Sequence, residues 1–323
     1  MTDAPPVLLD VTRNGFLESQ HRGSLVLLEP SGEIAVAAGT PERPIFPRSS
    51  LKPFQAVALV EHGFRGRGDA LALAAASHEG EAVHVAGVRA ILAAAGLGEA
   101  ALQCPADLPA RREAMLAHVR AGGGPAAVCH NCSGKHAAML ATCVRNGWDP
   151  AGYLDPGHPL QSAVRNAIEA MTGEPVAAAG VDGCGAPAFA VTLIGLARGF
   201  AALATASEGS AAALVGGAMR AHPQLLGGTG RAVTELTAAV DGLVCKDGAE
   251  AVWGAALPDG RAFAVKAEDG GARALPPLLA AALRYWGVDG AVVQRWSAVA
   301  VLGGGDPVGA IGWSRELVDL LGG

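Results

Sequence analysis

Apolar and polar positions follow a short period at both ends of the chain and a helical period between them. Ser24–Leu28 and Glu33–Ala38 are apolar runs joined by Pro30-Ser31-Gly32, the pattern of two strands and a turn. From Ser49 to about residue 240 the spacing predicts helices at Ser50–Glu61, Ala70–Ala76, Ala82–Ala95, Arg111–Ala121 and Ser133–Asn146. It predicts more at Leu160–Thr172, Ala188–Ala204, Ala211–His222 and Arg231–Ala239, separated by short Gly, Pro and Asp breaks. Strands return near the C-terminus: Glu250–Leu257 and Arg261–Lys266 flank Pro258-Asp259-Gly260, and Ser297–Leu302 and Val308–Trp313 follow a helix at Pro276–Trp286. The expected fold is α+β. Strands from about 1–48 and 245–323 form one antiparallel sheet, covered by the helical part, about 49–244. No Ser- or Pro-rich linker and no fixed-period repeat breaks the chain, so residues 1–323 read as a single catalytic body.

Composition narrows the function. Half of the 323 residues are hydrophobic and 17% are charged, enough for a large core. A net charge of −6 without basic runs disfavours nucleic acid and anionic membranes as partners. No apolar run reaches the ~18 residues of a membrane span. MTDAPPVLLD lacks the cationic and apolar segments of an export signal, so a cytoplasmic protein is expected. In a reducing compartment the six cysteines read as ligands, catalytic groups or core rather than disulfides. The segment GFLESQHRGS, with Glu18, His21 and Arg22, reads as a solvated loop.

Chemistry concentrates in a few places. Ser49-Ser50-Leu51-Lys52 has the S-x-x-K spacing of Ser-Lys acyl-transfer enzymes; on a helix, residues three apart share a face, so the amine can reach the Ser49 hydroxyl. Pro53 places the helix start near Ser49 or Ser50, although a residue before proline avoids the helical region and Lys52 is that residue. Ser77-His78-Glu79-Gly80-Glu81 interrupts a run of alanines and reads, taken alone, as helix punctuation. VCHNCSGKHAAMLA, Val128–Ala141, places Cys129, Cys132, Lys135 and His136 at a helix start, where Cys129-x-x-Cys132 fits either a zinc half-site or a redox pair. Asp182-Gly183-Cys184 is the candidate second half. Cys104, Cys143 and Cys245 sit among apolar residues and read as core. GGTGR at 227–231 and GGGDPVG at 303–309 lack a Walker lysine or a dinucleotide context and read as turns; AEDGGAR at 267–273 reads as a strand-to-helix connection.

In their order, HRGS, RSSLKPFQA, SHEGE, HNCSGKHAAML, DGCGAP, GGTGR and KAEDGGAR resemble the Rhizobium-type (class 3, thermolabile) L-asparaginases of the asparaginase II family, from about Arg13 to the C-terminus. The resemblance implies a fold like serine β-lactamases and glutaminases and two Ser-Lys tandems in one cleft, Ser49 with Lys52 and Ser77 with Lys266. It further implies zinc held by Cys132, Lys135 and Cys184 with Asp182 close by, and suggests a homodimer. The chain departs from it with GKHAAM for GKHAGM and with GAEAV, at 248–252, for GAEGV. Cys129 lies outside the implied zinc set.

The expected reaction is hydrolysis of the L-asparagine side-chain amide to aspartate and ammonia. Ser49 attacks, Lys52 takes its proton, and Ser77 with Lys266 orients substrate and returns a proton to ammonia. Backbone amides near the helix start would face the oxyanion. Arg48 is the nearest cation for the substrate α-carboxylate and Asp182 a carboxylate for its ammonium. The rival readings are a related amidase acting on glutamine or another amide, and a non-enzymatic zinc- or redox-responsive protein using Cys129, Cys132 and Cys184.

Overall fold

In a computed structural model, which describes residues 4–322, the strands of the two chain ends do form one antiparallel sheet. From the N-terminal end come β1 (Val7–Arg13), β2 (Phe16–Leu28) and β3 (Ile34–Ala38). A two-stranded hairpin, β4 (Ala178–Val181) and β5 (Pro187–Ala190), lies apart. The C-terminal end supplies β6 (Val244–Gly248), β7 (Val252–Ala256), β8 (Ala262–Ala267), β9 (Val299–Gly303) and β10 (Asp306–Trp313). The main sheet runs β6-β7-β8-β2-β1-β10-β9, with β3 also paired to β2.

The long strand β2 joins the halves. Its first part pairs with β1, and its second pairs with β8 on one side and β3 on the other. Leu25–Leu28 is buried on both faces of the strand, as its unbroken apolar run requires. The helix Leu193–Ala204 packs on β2, β7 and β8, and the helix Leu275–Tyr285 packs on β7, β8 and β10. The helix Lys52–Glu61 is buried from Lys52 to Leu59 and meets Leu193–Ala204 through an edge-to-face pair, Phe54 and Phe200, with centroids 5.3 Å apart. The Ser-Lys segment is thus fixed to the element that covers the sheet.

Several expectations change. GFLESQHRGS is strand rather than loop: from Phe16 it belongs to β2, exposed through Gln20 and at Arg22, while the His21 side chain is only 2% exposed. Its polar residues line one end of a strand whose other end is core. The helix expected over Ala188–Ala204 begins at Leu193, because Pro187–Ala190 is strand β5. Strands β1 and β6 carry charged residues among short apolar runs and escape a periodicity search. At the Ser-Lys motif the α-helix starts at Lys52; Arg48–Leu51 forms a 3₁₀ turn before it. Lys52 is helical (φ −58°, ψ −36°) despite the following proline. No helix among the described residues is long and apolar enough to cross a membrane.

Candidate active site

Ser49 and Ser77 line one cleft of about 500 Å³, together with Glu79, Asn131, Arg231, Asp247, Gly248, Trp253 and Arg273. Ser49 sits in the 3₁₀ turn, and its neighbour Arg48 has φ +54°, a left-handed conformation that costs a non-glycine residue energy and often marks a functional turn. The Lys52 amine, 1% exposed, lies 2.6 Å from the Ala76 carbonyl and 2.9 Å from Ser77 Oγ. The lysine of the S-x-x-K motif therefore touches the second serine. Ser50 points away, its hydroxyl bonded to the carbonyls of Lys246 (3.1 Å) and Val252 (3.4 Å).

Lys266 does not meet Ser77. Its amine bonds the carbonyls of Glu250 (2.6 Å) and Ala267 (2.7 Å) and faces a separate cavity lined by Ser24, Thr40 and Arg48. The lysine beside the serine cleft is instead Lys246, on edge strand β6, followed by Asp247 and Gly248 on the cleft wall. Burial lowers Lys246 to about 8; Asp247 opposes this and the nearby Lys52 charge adds to it. Its amine is 2.5 Å from Asp247 Oδ1, and Asp247 Oδ2 accepts from Arg231 at 2.6 Å. Arg231 also pairs with Glu79. Sequence offered four lysines and no way to rank Lys246 above Lys266.

Cys132, Lys135 and Cys184 come together behind the serines. The Lys135 amine is 3.2 Å from Cys184 Sγ, and both residues are buried. Cys184 and Asp182 sit in the loop of the β4–β5 hairpin, closed by Asp182 N–H to the Ala186 carbonyl at 2.8 Å. A hydrogen bond from Cys184, aided by the Lys52 and Lys135 charges, holds the Cys132 thiol well below its ordinary range against burial. Burial opposes the charge on Lys135, but the Cys184 and Cys132 sulfurs and Asp182 outweigh it and raise its pKa. Cys129 is turned to a different cavity, lined by Arg89, Glu99 and Pro109, and burial raises its thiol. The C-x-x-C pair therefore does not act as one half-site. Cys104, Cys143 and Cys245 are buried among the core residues.

Arg48 and Asp182 face each other: Arg48 Nε and Nη2 lie 2.8 and 2.7 Å from Asp182 Oδ1. Arg48 lines the Lys266 cavity rather than the serine cleft. Each neutralises the other.

The family model of L-asparaginase II matches residues 9–313, spanning every residue of this site. The chain belongs to the asparaginase II family. It is an amidohydrolase of the L-asparaginase type, with a small-molecule substrate, and the reading as a non-enzymatic zinc or redox protein is set aside. No curated protein matches the chain. The two family departures fall at Ala138, fully buried in the helix Ser133–Asn146, and at Ala251, which with Glu250 has positive φ (52° and 60°) in the turn leading into β7.

On the wall of this asparaginase II site His78 stacks on the imidazole of His84 behind it, with centroids 5.0 Å apart. His78 Nδ1 accepts from Gly80 N–H (3.2 Å), so Nε2–H donates to Ser133 Oγ (3.0 Å). Burial first, then the charges of His84, Lys52 and His130, push His78 well below 6.5; burial also lowers His84. In the unfolded chain both would titrate near 6.5, at about the ordinary imidazole value. The unfolded state therefore binds more protons below that pH, and the stability these groups contribute is complete above it and lost as pH falls toward the folded values. The melting temperature is expected to fall as pH drops below 6.5, and His78→Gln should flatten that limb in a calorimetric series across pH.

Proposed function

We propose that this asparaginase II hydrolyses the L-asparagine side-chain amide through Ser49, Ser77 and Lys52, beside a zinc held by Cys132, Lys135 and Cys184. One contact supports the chemistry: a buried amine 2.9 Å from the Ser77 hydroxyl, in the cleft that Ser49 also lines. The Ala76 carbonyl only accepts, so it takes one N–H of the amine. The reading requires Lys52 as the neutral amine when substrate is bound, with its lone pair open to a hydroxyl proton. In this reading Ser49 attacks the amide carbon and its proton comes to rest on Lys52. The C–N bond breaks as Ser77, resupplied by Lys52, protonates the departing ammonia. Water cleaves the aspartyl ester by the same groups in reverse. The 2.9 Å contact also favours a second reading, in which Ser77 is the nucleophile. The Lys246 amine and the Arg231 guanidinium brace the wall through Asp247.

The donors fit zinc. Two sulfurs and an amine converge, and thiolate is a preferred zinc ligand. Among the described residues no three His, Cys, Asp or Glu side chains are arranged to hold a metal; in this reading the third protein donor is the Lys135 amine, 3.2 Å from Cys184 Sγ. His136 Nε2 is buried without a partner on the same helix, next in sequence to Lys135. Bound there, zinc would supply positive charge that fixes the cleft or the substrate. A lysine binds metal only as the neutral amine, so uptake should release the Lys135 proton. One equivalent of zinc with proton release is expected, and Cys184→Ser should weaken affinity by about a hundredfold or more in competition with a chromophoric chelator.

Ammonia release from asparagine and glutamine tests the substrate. Asparagine is expected to be preferred; faster release from glutamine would favour the related-amidase reading.

A further inference from the structure

The first and last sequence motifs, HRGS and KAEDGGAR, have no task in the chemistry above, yet the fold joins them at the rim of the serine cleft. His21 Nδ1 lies 2.7 Å from Asp269 Oδ2, and Arg273 Nε lies 3.1 Å from His21 Nε2. An arginine N–H can only donate, so Nε2 accepts and Nδ1 carries the proton that it donates to Asp269. Asp269 is itself fixed by Gly271 N–H to Oδ1 at 3.0 Å. The approach is close: a Cβ at Gly271 would stand 3.0 Å from His21 Cε1. His21 is almost fully buried opposite Leu9 in the β1–β2 ladder, so this relay is anchored in the sheet.

Its far end is accessible. Arg273 is exposed and lines the cleft that holds Ser49 and Ser77. Among the described residues it forms no salt bridge, and only Nε is engaged, leaving the two terminal nitrogens for a ligand. The other cationic groups near the serines are committed. Arg231 is clamped between Glu79 and Asp247, and Arg48 is paired with Asp182. Asparagine carries an α-carboxylate, which a guanidinium with two free nitrogens binds in bidentate fashion.

We propose that Arg273, aimed by His21 and Asp269, is the anchor for the substrate α-carboxylate and so sets specificity for α-amino acid amides. This rests on the amidase reading above. Two measurements keep the two ideas apart. Binding of L-aspartate, followed by titration calorimetry, needs no turnover. Arg273→Ala should weaken it about a hundredfold, the size of a charge-assisted pair, while the α-methyl ester of aspartate binds both proteins alike. In ammonia release from asparagine the same variant should raise KM with little change in kcat, because the contact is made equally in ground and transition states. His21→Ala should act in the same direction by about tenfold and add nothing in the Arg273→Ala background, a coupling that general loss of structure does not give. Unchanged aspartate binding in Arg273→Ala overturns the anchor even if the wild type is an active amidase. Carboxylate-dependent binding lost in Arg273→Ala, with no ammonia released by the wild type, keeps the anchor and overturns the amidase reading.

Discussion

Lys52→Met should reduce ammonia release from asparagine by about a thousandfold, within the range that a positioned general base contributes, and leave the protein folded. Methionine is similar in length and apolar, so it fits a site that is 1% exposed and flanked by Leu51, Phe54 and Ala56. What it lacks is the nitrogen. Ser77 Oγ loses the basic neighbour at 2.9 Å, and the Ala76 carbonyl loses a donor. An unsatisfied buried carbonyl costs about 1–3 kcal/mol, but removal of a buried amine offsets much of that. The melting temperature should therefore move by only a few degrees while kcat collapses. Collapse of both together would mean that Lys52 is a structural strut. An unaltered kcat would remove Lys52 from the chemistry.

A second large effect is expected at a residue with no functional group. A Cβ at Gly248 would lie 2.3 Å from the Pro47 carbonyl oxygen, 2.8 Å from Ser50 Oγ and 3.1 Å from Ser50 N. Two of these three are backbone atoms, so Gly248→Ala can be accommodated only by moving the Arg48–Leu51 turn off strand β6. That turn carries Ser49. A displacement near 1 Å costs about a hundredfold in rate when it misplaces a reacting group. The overpacking itself should cost about 1–3 kcal/mol of stability. Steady-state kinetics beside a denaturation curve separates the two. Near-parental kcat in Gly248→Ala would show that the turn need not be held where it lies.

The ends of the fold are legible where Gly, Pro and Asp turns limit β3, β7, β8 and the C-terminal part of β2; the polar first part of β2, from Phe16, is not. The Ser-Lys motif was readable because a three-residue spacing has direct geometric meaning. The partner of its lysine was not: which of two hydroxyls an amine reaches depends on where the Ala76–Ser77 carbonyl and hydroxyl fall, some 25 residues away in the chain. Lys246 and Lys266 show the same limit. Both stand on strands of the same sheet, and only the strand order, with β6 at the edge beside the Arg48–Leu51 turn, separates the one near the serines from the one facing another cavity. A linear view groups His21 with Glu18 and Arg22, which are solvated, and so points to a loop. The burial of His21 follows from partners 248 and 252 residues downstream, Asp269 and Arg273. The Cys132, Lys135 and Cys184 grouping came from family likeness; the hairpin loop that presents Cys184 supplies its geometry.

The most direct test of the Ser-Lys reading is rapid-quench mass spectrometry of the enzyme mixed with asparagine, followed by peptide mapping. An aspartyl ester is expected on Ser49, building up before steady state, absent in Ser49→Ala and decaying as aspartate is released. An ester on Ser77 would transfer the nucleophile's role to the serine that Lys52 touches. Ammonia release at the parental rate in both Ser49→Ala and Ser77→Ala, with no ester at any time, would contradict the account outright.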